Sequence, residues 1–254
     1  TLNNKTINLI NVRYNQKKNF EKISKKSNYY INESFLIALK LIRQGFTDKL
    51  INGPISKTTF LKKKKLGITE FISDKFFIKN YAMLIYNKNL SVCPVTTHVP
   101  LKLVSKKLSK KLIIDKIKLI NDFYKKKLKL KPRIAVLGLN PHCETVNSFD
   151  EDKNIVSPAI NYFKKKNFKV SGPFSSDTIF LKQNRSKYDV IIGMYHDQVL
   201  SPLKTLFEYD AINITLGLPF MRISPDHGPN EHMVGKNKSN PLSLMRAISF
   251  LDKN

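Results

Sequence analysis

Three histidines each close an apolar run. "LSVCPVTT" leads into His98, "RIAVLGLNP" into His142 and "YDVIIGMY" into His196. Such runs, bounded by turn residues, read as buried strands. In an open parallel sheet the carboxyl ends of the strands share one edge, and ligands bind there. Imidazoles delivered to one edge can hold a divalent metal and leave coordination positions for a substrate. Singly, each histidine reads as well as a polar residue at a loop mouth; three at equivalent positions favour the metal. Glu144 and Asp197 lie close to His142 and His196 in the chain. A carboxylate so placed either orients the ring or joins the coordination.

Basic and amide residues follow. Lys204 closes "SPLK", Asn213 sits in "INITLG" and Arg222 follows "LPFM". Arginine is scarce here, so one set just after a buried strand and a Pro turn reads as more than a filler charge. Arg222 and Lys204 suit a phosphate or carboxylate, the Arg through two parallel hydrogen bonds. For Lys204, an ordinary surface charge is an equal reading. Lys204 and Asp197 are also the general-base candidates by position. "PDHGPNEHMVGKNKSNP" (225–241) is a polar, Gly-containing loop of the kind that wraps adenosine or phosphate, without the spacing of the common nucleotide fingerprints. Cys143, beside His142, reads as a bystander thiol rather than a nucleophile.

The elements that must position these residues alternate along the chain. "NESFLIALKLIRQG" (32–45) has apolar residues at helical spacing, with Asn32 or Ser34 as cap and Gly45 as stop. "KLINGPISK" (49–57) reads as a short strand ending in a Gly-Pro turn, and "AMLIYN" and "LSVCPVTTHV" as strands around an "NKN" turn. Residues 101–124 place Leu101, Val104, Leu108, Leu112, Ile113, Ile117, Ile120 and Phe123 on one stripe, which predicts a single amphipathic helix. "PRIAVLGLN" reads as a strand, "SPAINYFKKKNF" (157–168) as a helix opened by Ser-Pro, and "YDVIIGMY" and "AINITLGLP" as strands. "NPLSLMRAISFLD" reads as a closing helix opened by Asn-Pro. Strand–helix alternation with few hairpins predicts an α/β fold with a mostly parallel sheet covered on both faces. At 254 residues the chain suits one large domain or two lobes.

Lys and Arg number 45 against 19 Asp and Glu, a formal charge of +26. That excess raises nucleic-acid binding as a class. The lysines, however, are spread over "KKKK" (62–65), "KKLSKK" (106–111), "YKKKLKLK" (124–131) and "FKKKNFK" (163–169), without interleaved aromatics. Solvated lysine faces are the favoured reading, with no nucleic-acid partner. No apolar run is long enough for a membrane span, no secretory leader stands out, and two cysteines are too few for a disulfide framework, so a cytoplasmic location without membrane partners is expected.

Together these stretches resemble the 4-hydroxythreonine-4-phosphate dehydrogenase family of vitamin B6 biosynthesis. The matching segments are "GPISK" (53–57), "GITEF" (67–71), "THVPL" (97–101), "GLNPHCE" (138–144), "GPFSSDT" (172–178), "YDVIIGMYHDQ" (188–198), "PLK" (202–204), "NITLGLPFMRISPDHG" (213–228) and "GKNKSNP" (235–241). They fall in the family's order. The resemblance implies a two-lobed, mostly parallel α/β fold like the isocitrate and isopropylmalate dehydrogenases, with residues 1–92 and 201–254 in one lobe and 93–200 in the other. It implies a homodimer whose active site is shared between subunits. His98, His142 and His196 match its ligand positions for a divalent metal of the Zn, Mg or Co class. Thr69, Lys204, Asn213 and Arg222 match its substrate-binding positions, and His227, Gly228 and Asn240 fall on a loop like the adenosine-side NAD loop of the relatives. The implied reaction is oxidation of the secondary alcohol of 4-phospho-hydroxythreonine by NAD or NADP, then decarboxylation to 3-amino-2-oxopropyl phosphate, with the metal stabilising the developing alkoxide.

The chain departs from that pattern in three places. Ile68 stands where the family has a substrate-binding histidine, and Ile neither donates nor accepts a hydrogen bond. The glycine-rich stretch after "NPH" is replaced by "CETVNSFDED". Nothing like the family's opening strand with its Gly-Asp-Pro turn precedes "NNKTINLINVRYN", by truncation or by real loss. These departures keep two alternatives open: a dehydrogenase of another phosphorylated hydroxy acid, such as a four-carbon sugar-acid phosphate, and a non-catalytic member that binds metal or ligand without turnover.

Overall fold

The computed structural model describes residues 5–61, 67–146 and 148–253; the lysine run at 62–65 lies outside them. Helix α1 (Asn28–Arg43) leads to strand β1 (Lys49–Ile51) and the short helices α2 (Lys57–Phe60) and α3 (Ile68–Lys75). Strands β2 (Ala82–Tyr86) and β3 (Ser91–Pro94) pair antiparallel, forming the hairpin expected around Asn87–Asn89. Next come α4 (Val104–Lys107), α5 (Lys110–Phe123), β4 (Arg133–Leu137), α6 (Ser157–Asn161) and β5 (Lys169–Phe174). After the short helices α7 (Ser176–Ile179) and α8 (Lys182–Arg185), the chain forms β6 (Val190–Gly193), α9 (His196–Phe207), β7 (Ile212–Leu216), β8 (Met221–Pro225) and α10 (Leu242–Lys253).

All eight strands join one sheet in the order β1-β8-β7-β2-β3-β6-β4-β5. The flanking pairs β1–β8, β3–β6, β6–β4 and β4–β5 are parallel, while β8–β7, β7–β2 and β2–β3 at the centre are antiparallel. The expected α/β class with a mostly parallel sheet is therefore present. The lobe boundary expected at 92/93 falls inside β3, within this continuous sheet.

Strand periodicity sorts the side chains onto two faces. Ala82, Leu84, Ile134, Val136, Val190 and Ile192 join one core with Ile113 and Ile117 of α5 and Phe250 of α10. Met83, Ile85, Ala135, Leu137 and Ile191 point the other way, against Val199 and Leu203 of α9. A third cluster, with Phe35, Leu39, Ile68, Ile72 and Phe220, packs α1 and α3 beside the β1 end of the sheet.

Three element expectations need correction. The single helix over 101–124 is broken: Leu108 is extended (φ −70°, ψ 137°), and the Ser109 hydroxyl accepts from the Leu112 N–H at 3.2 Å to start α5 afresh. The apolar stripe survives the break, which is why periodicity alone hides it. Helix α1 begins at Asn28, so neither Asn32 nor Ser34 caps it; a 3-10 turn over Lys25–Ser27, capped by Ser24, winds the chain beforehand. The helix read over 157–168 extends only over Ser157–Asn161, after a π turn over Asp152–Val156.

Candidate active site

A cavity of about 490 Å³ opens on the second face of the sheet, between α9 on one side and the 52–57 and 68–69 segments on the other. Its floor follows from the β7 and β8 sequences. "INITL" and "MRISP" alternate apolar and polar, so Ile212, Ile214, Met221 and Ile223 enter the first core. Asn213, Thr215, Arg222 and Ser224 then share the opposite face, with Thr215 across from Arg222 and Asn213 across from Ser224.

Arg222 is 2% exposed; it follows β7 and the Pro219 turn as the sequence suggested, and lies inside β8, a strand that the sequence reading did not assign. Its Nε donates to Asn52 Oδ1 at 2.7 Å, and Nη1 donates to Thr215 Oγ1 at 2.9 Å and Thr69 Oγ1 at 3.3 Å. All three partners are neutral, and no carboxylate among the described residues pairs with it. Burial therefore pushes its pKa down to about 10, with Glu70 attracting the charge from a distance. A buried guanidinium without a counter-ion at a cavity floor is an anion-binding element. Asn213 lines the same cavity, and its Oδ1 is buried without a hydrogen-bond partner among the described residues.

Helix α9 supplies the facing wall. His196, Leu200 and Lys204 recur every fourth residue and line the cavity together. The sequence reading missed this helix. Its helical apolar spacing at Val199, Leu200, Leu203 and Phe207 was present, but Pro202 within it masked the signal. Lys204 Nζ sits 2.6 Å from Asp226 Oδ2, so its charge is already paired. Burial raises the Asp226 pKa, and attraction to Lys204 works against that rise. Asp197 Oδ1 lies 2.6 Å from His196 Nδ1, which places that carboxylate as an orienter of the ring.

His98 reaches the cavity from the far end of β3, its ring centroid 5.7 Å from that of His196. On one side its Nε2 meets Lys57 Nζ at 3.0 Å; on the other Nδ1 lies 3.7 Å from Glu70 Oε1. Burial alone would raise the Glu70 pKa, but hydrogen bonding to His98 and Thr97 and the imidazole's attraction hold it below the usual value. Gly67 permits this packing: a Cβ there would come within 2.6 Å of Glu70 Oε2 and 2.9 Å of His98 Cε1. Two imidazoles facing one cavity, one held by a carboxylate, suit a divalent cation in donor chemistry.

His142 stays apart. It follows β4 at the same sheet edge, with left-handed backbone (φ 57°), its Nδ1 3.5 Å from Ser175 Oγ, and does not line the cavity. Among the described residues, no three His, Cys, Asp or Glu side chains of one chain converge to hold a metal.

The model of the pyridoxal phosphate biosynthetic protein PdxA family matches residues 1–251. The chain belongs to the PdxA family. It is 41% identical over 218 residues to a protein of Sulfurihydrogenibium sp. and 35% identical over 220 residues to one of Bradyrhizobium diazoefficiens, both named 4-hydroxythreonine-4-phosphate dehydrogenase. These matches cover 84% of this chain and 67% and 64% of the two relatives, so the chain spans about two thirds of their length. A solved structure described as a putative 4-hydroxythreonine-4-phosphate dehydrogenase from Salmonella typhimurium superposes with a TM-score of 0.76 at 33% identity, over 90% of this chain and 71% of that one.

Within this PdxA-family chain, the cavity gathers Thr69, Lys204, Asn213, Arg222, His98, His196, Asp197, His227 and Gly228 of the residues picked out from sequence. Asn240 is not among its lining; its Oδ1 accepts from the Leu242 N–H at 2.9 Å and so caps α10. Residues the sequence reading passed over are Lys57, Asn52 and Thr215. "GPISK" carried the first as part of a matching motif, and the alternation of "INITL" carried the last; nothing local flagged Asn52.

Proposed function

We propose that this chain oxidises the secondary alcohol of 4-phospho-hydroxythreonine with NAD or NADP, the resulting amino-keto acid decarboxylating to 3-amino-2-oxopropyl phosphate. The observation that carries the reading is the buried, carboxylate-free Arg222 on the floor of a cavity that two histidines also face. Arg222 would take the phosphate, with Thr69 and Asn213 beside it. The unpartnered Asn213 Oδ1 is an acceptor suited to a substrate ammonium or hydroxyl. His98 and His196 would hold a divalent metal together with His142 from a second chain, and that ion would supply Lewis-acid polarisation of the substrate oxygen. Asp197 fixes the His196 tautomer, and Lys204, neutralised by Asp226, offers a proton-accepting position only if substrate loosens that ion pair. His227 and Gly228, at the cavity margin, are the positions proposed to meet the nicotinamide cofactor.

Ile68 favours a second reading. It is 8% exposed, packs in the α1–α3 core and lines the cavity with Met83 and Leu200, so this wall offers no hydrogen bond. A phosphorylated hydroxy acid without the amino group would suit it. The test is reduced-nicotinamide formation with 4-phospho-hydroxythreonine and with 4-phosphoerythronate, each with added divalent metal, beside a His196→Ala control. Metal-dependent turnover of the first, lost in the control, supports the primary reading; turnover of the second alone supports the alternative; none with either overturns both.

A further inference from the structure

Two carboxylates lining the cavity are already engaged: Asp226 by Lys204 at 2.6 Å, and Asp197 by the His196 ring at 2.6 Å. Arg222 and Lys57 are the Lys and Arg side chains of the lining that no described carboxylate pairs with. Arg222 is committed to the floor by its bonds to Asn52, Thr69 and Thr215. Lys57, at the start of α2, bonds His98 Nε2 at 3.0 Å and has no carboxylate partner among the described residues. An ammonium carries three donors, so one contact with an imidazole nitrogen leaves two N–H groups for a ligand. The chain segment from Asn52 to Lys57 ties the two cations to one wall of the cavity.

A cavity with two uncancelled cations is built for a ligand with two anionic groups. The two differ in kind. Arg222 is a buried planar fork, the geometry that matches a phosphate; Lys57 is a mobile point charge beside the histidine pair. In a phosphorylated hydroxy acid of this length the carboxyl carbon lies nearer the alcohol carbon than the phosphorus does. We infer that Lys57 is a substrate-binding residue that grips the substrate's carboxylate next to His98, while Arg222 grips the phosphate. The assignment rests on the phosphorylated hydroxy acid reading above. It adds a contact that none of the sequence-derived site residues supplied, and it makes the wall around residues 52–57 part of substrate recognition.

Two probes that differ by one carboxylate test it. O-phosphoserine and phosphoethanolamine are titrated by calorimetry, with a chelator present, against the unaltered chain, Lys57→Met and Lys57→Arg, each shown by circular dichroism to be folded. The unaltered chain should bind O-phosphoserine about tenfold more tightly than phosphoethanolamine, the size of one charge-assisted contact. Lys57→Met should abolish that preference and leave phosphoethanolamine binding unchanged, while Lys57→Arg should restore part of it. A preference that persists in Lys57→Met, or equal weakening of both probes, overturns the assignment while the phosphate site stands. If neither probe binds the unaltered chain, the anion-cavity reading itself is overturned, and the assignment with it.

Discussion

Burying Arg222 without a counter-ion costs stability. A pKa pushed down to about 10 corresponds to a penalty of roughly 3 kcal/mol for holding the charge inside. Hydrophobic replacement of a buried charge is often neutral or stabilising. Thr69 and Thr215, 3.4 Å apart, can bond each other once the guanidinium is gone. Arg222→Met is therefore expected to unfold in urea within about 1 kcal/mol of the unaltered chain, while phosphoethanolamine binding falls by at least about thirtyfold. Glu70 behaves in the opposite sense. Its folded pKa is below the unfolded value of 4.5, so its ionised form stabilises the fold. That contribution is complete above pH 4.5 and is lost as pH falls through the lower folded value. Urea unfolding should show Glu70→Gln destabilised near neutral pH, with the gap closing below pH 4.5; a gap independent of pH would deny Glu70 that role.

At the scale of elements, one side chain joins the strand ends that carry two of the histidines. Gln198 on α9 is 8% exposed; its Oε1 accepts from the Met194 N–H at 2.6 Å and its Nε2 donates to the Gly138 carbonyl at 2.7 Å. It thus clamps the β6 exit, which leads to His196, to the β4 exit, which leads to His142. Gln198→Leu strands both backbone groups and is expected to cost about 2–5 kcal/mol, read as a lower urea midpoint with an unchanged slope. Asp152 does related work at the β4 exit. It is 1% exposed and accepts from the Leu139 N–H at 2.6 Å and the Asn140 N–H at 2.9 Å. Asp152→Ala should loosen the His142 turn, seen as faster amide exchange at Leu139 and Asn140 than in the unaltered chain.

At the scale of the whole molecule, His98 and His196 meet in one cavity while His142 is not among its lining. If the proposed site is completed across a two-fold dimer, chains carrying His142→Ala and His196→Ala are each inactive alone but complement when mixed. Statistical mixing should restore roughly a quarter of the unaltered activity, because half the dimers are mixed and each holds one intact site. No recovery after unfolding and co-refolding would place all ligands within one chain. No helix among the described residues is long and apolar enough to cross a membrane.

The sequence by itself determined the α/β class, the β2–β3 hairpin and the strand-end placement of three histidines, because strand period and turn residues are local properties. It also marked Arg222, since a rare arginine among apolar residues is a local anomaly. Element breaks and starts escaped it: Ser109 and Pro202 act against an unbroken apolar periodicity, which follows burial rather than backbone continuity. Asn240 reads from the sequence as a cofactor-loop residue, and only the fold shows its Oδ1 accepting from the Leu242 N–H at the start of α10. Tertiary structure alone decided which charges cancel. Lys204 and Asp226 lie far apart in the chain, as do Lys57 and His98, and Coulomb attraction depends on distance in space. That pairing leaves Arg222 and Lys57 as the cavity's free cations, a property written nowhere in the order of the residues.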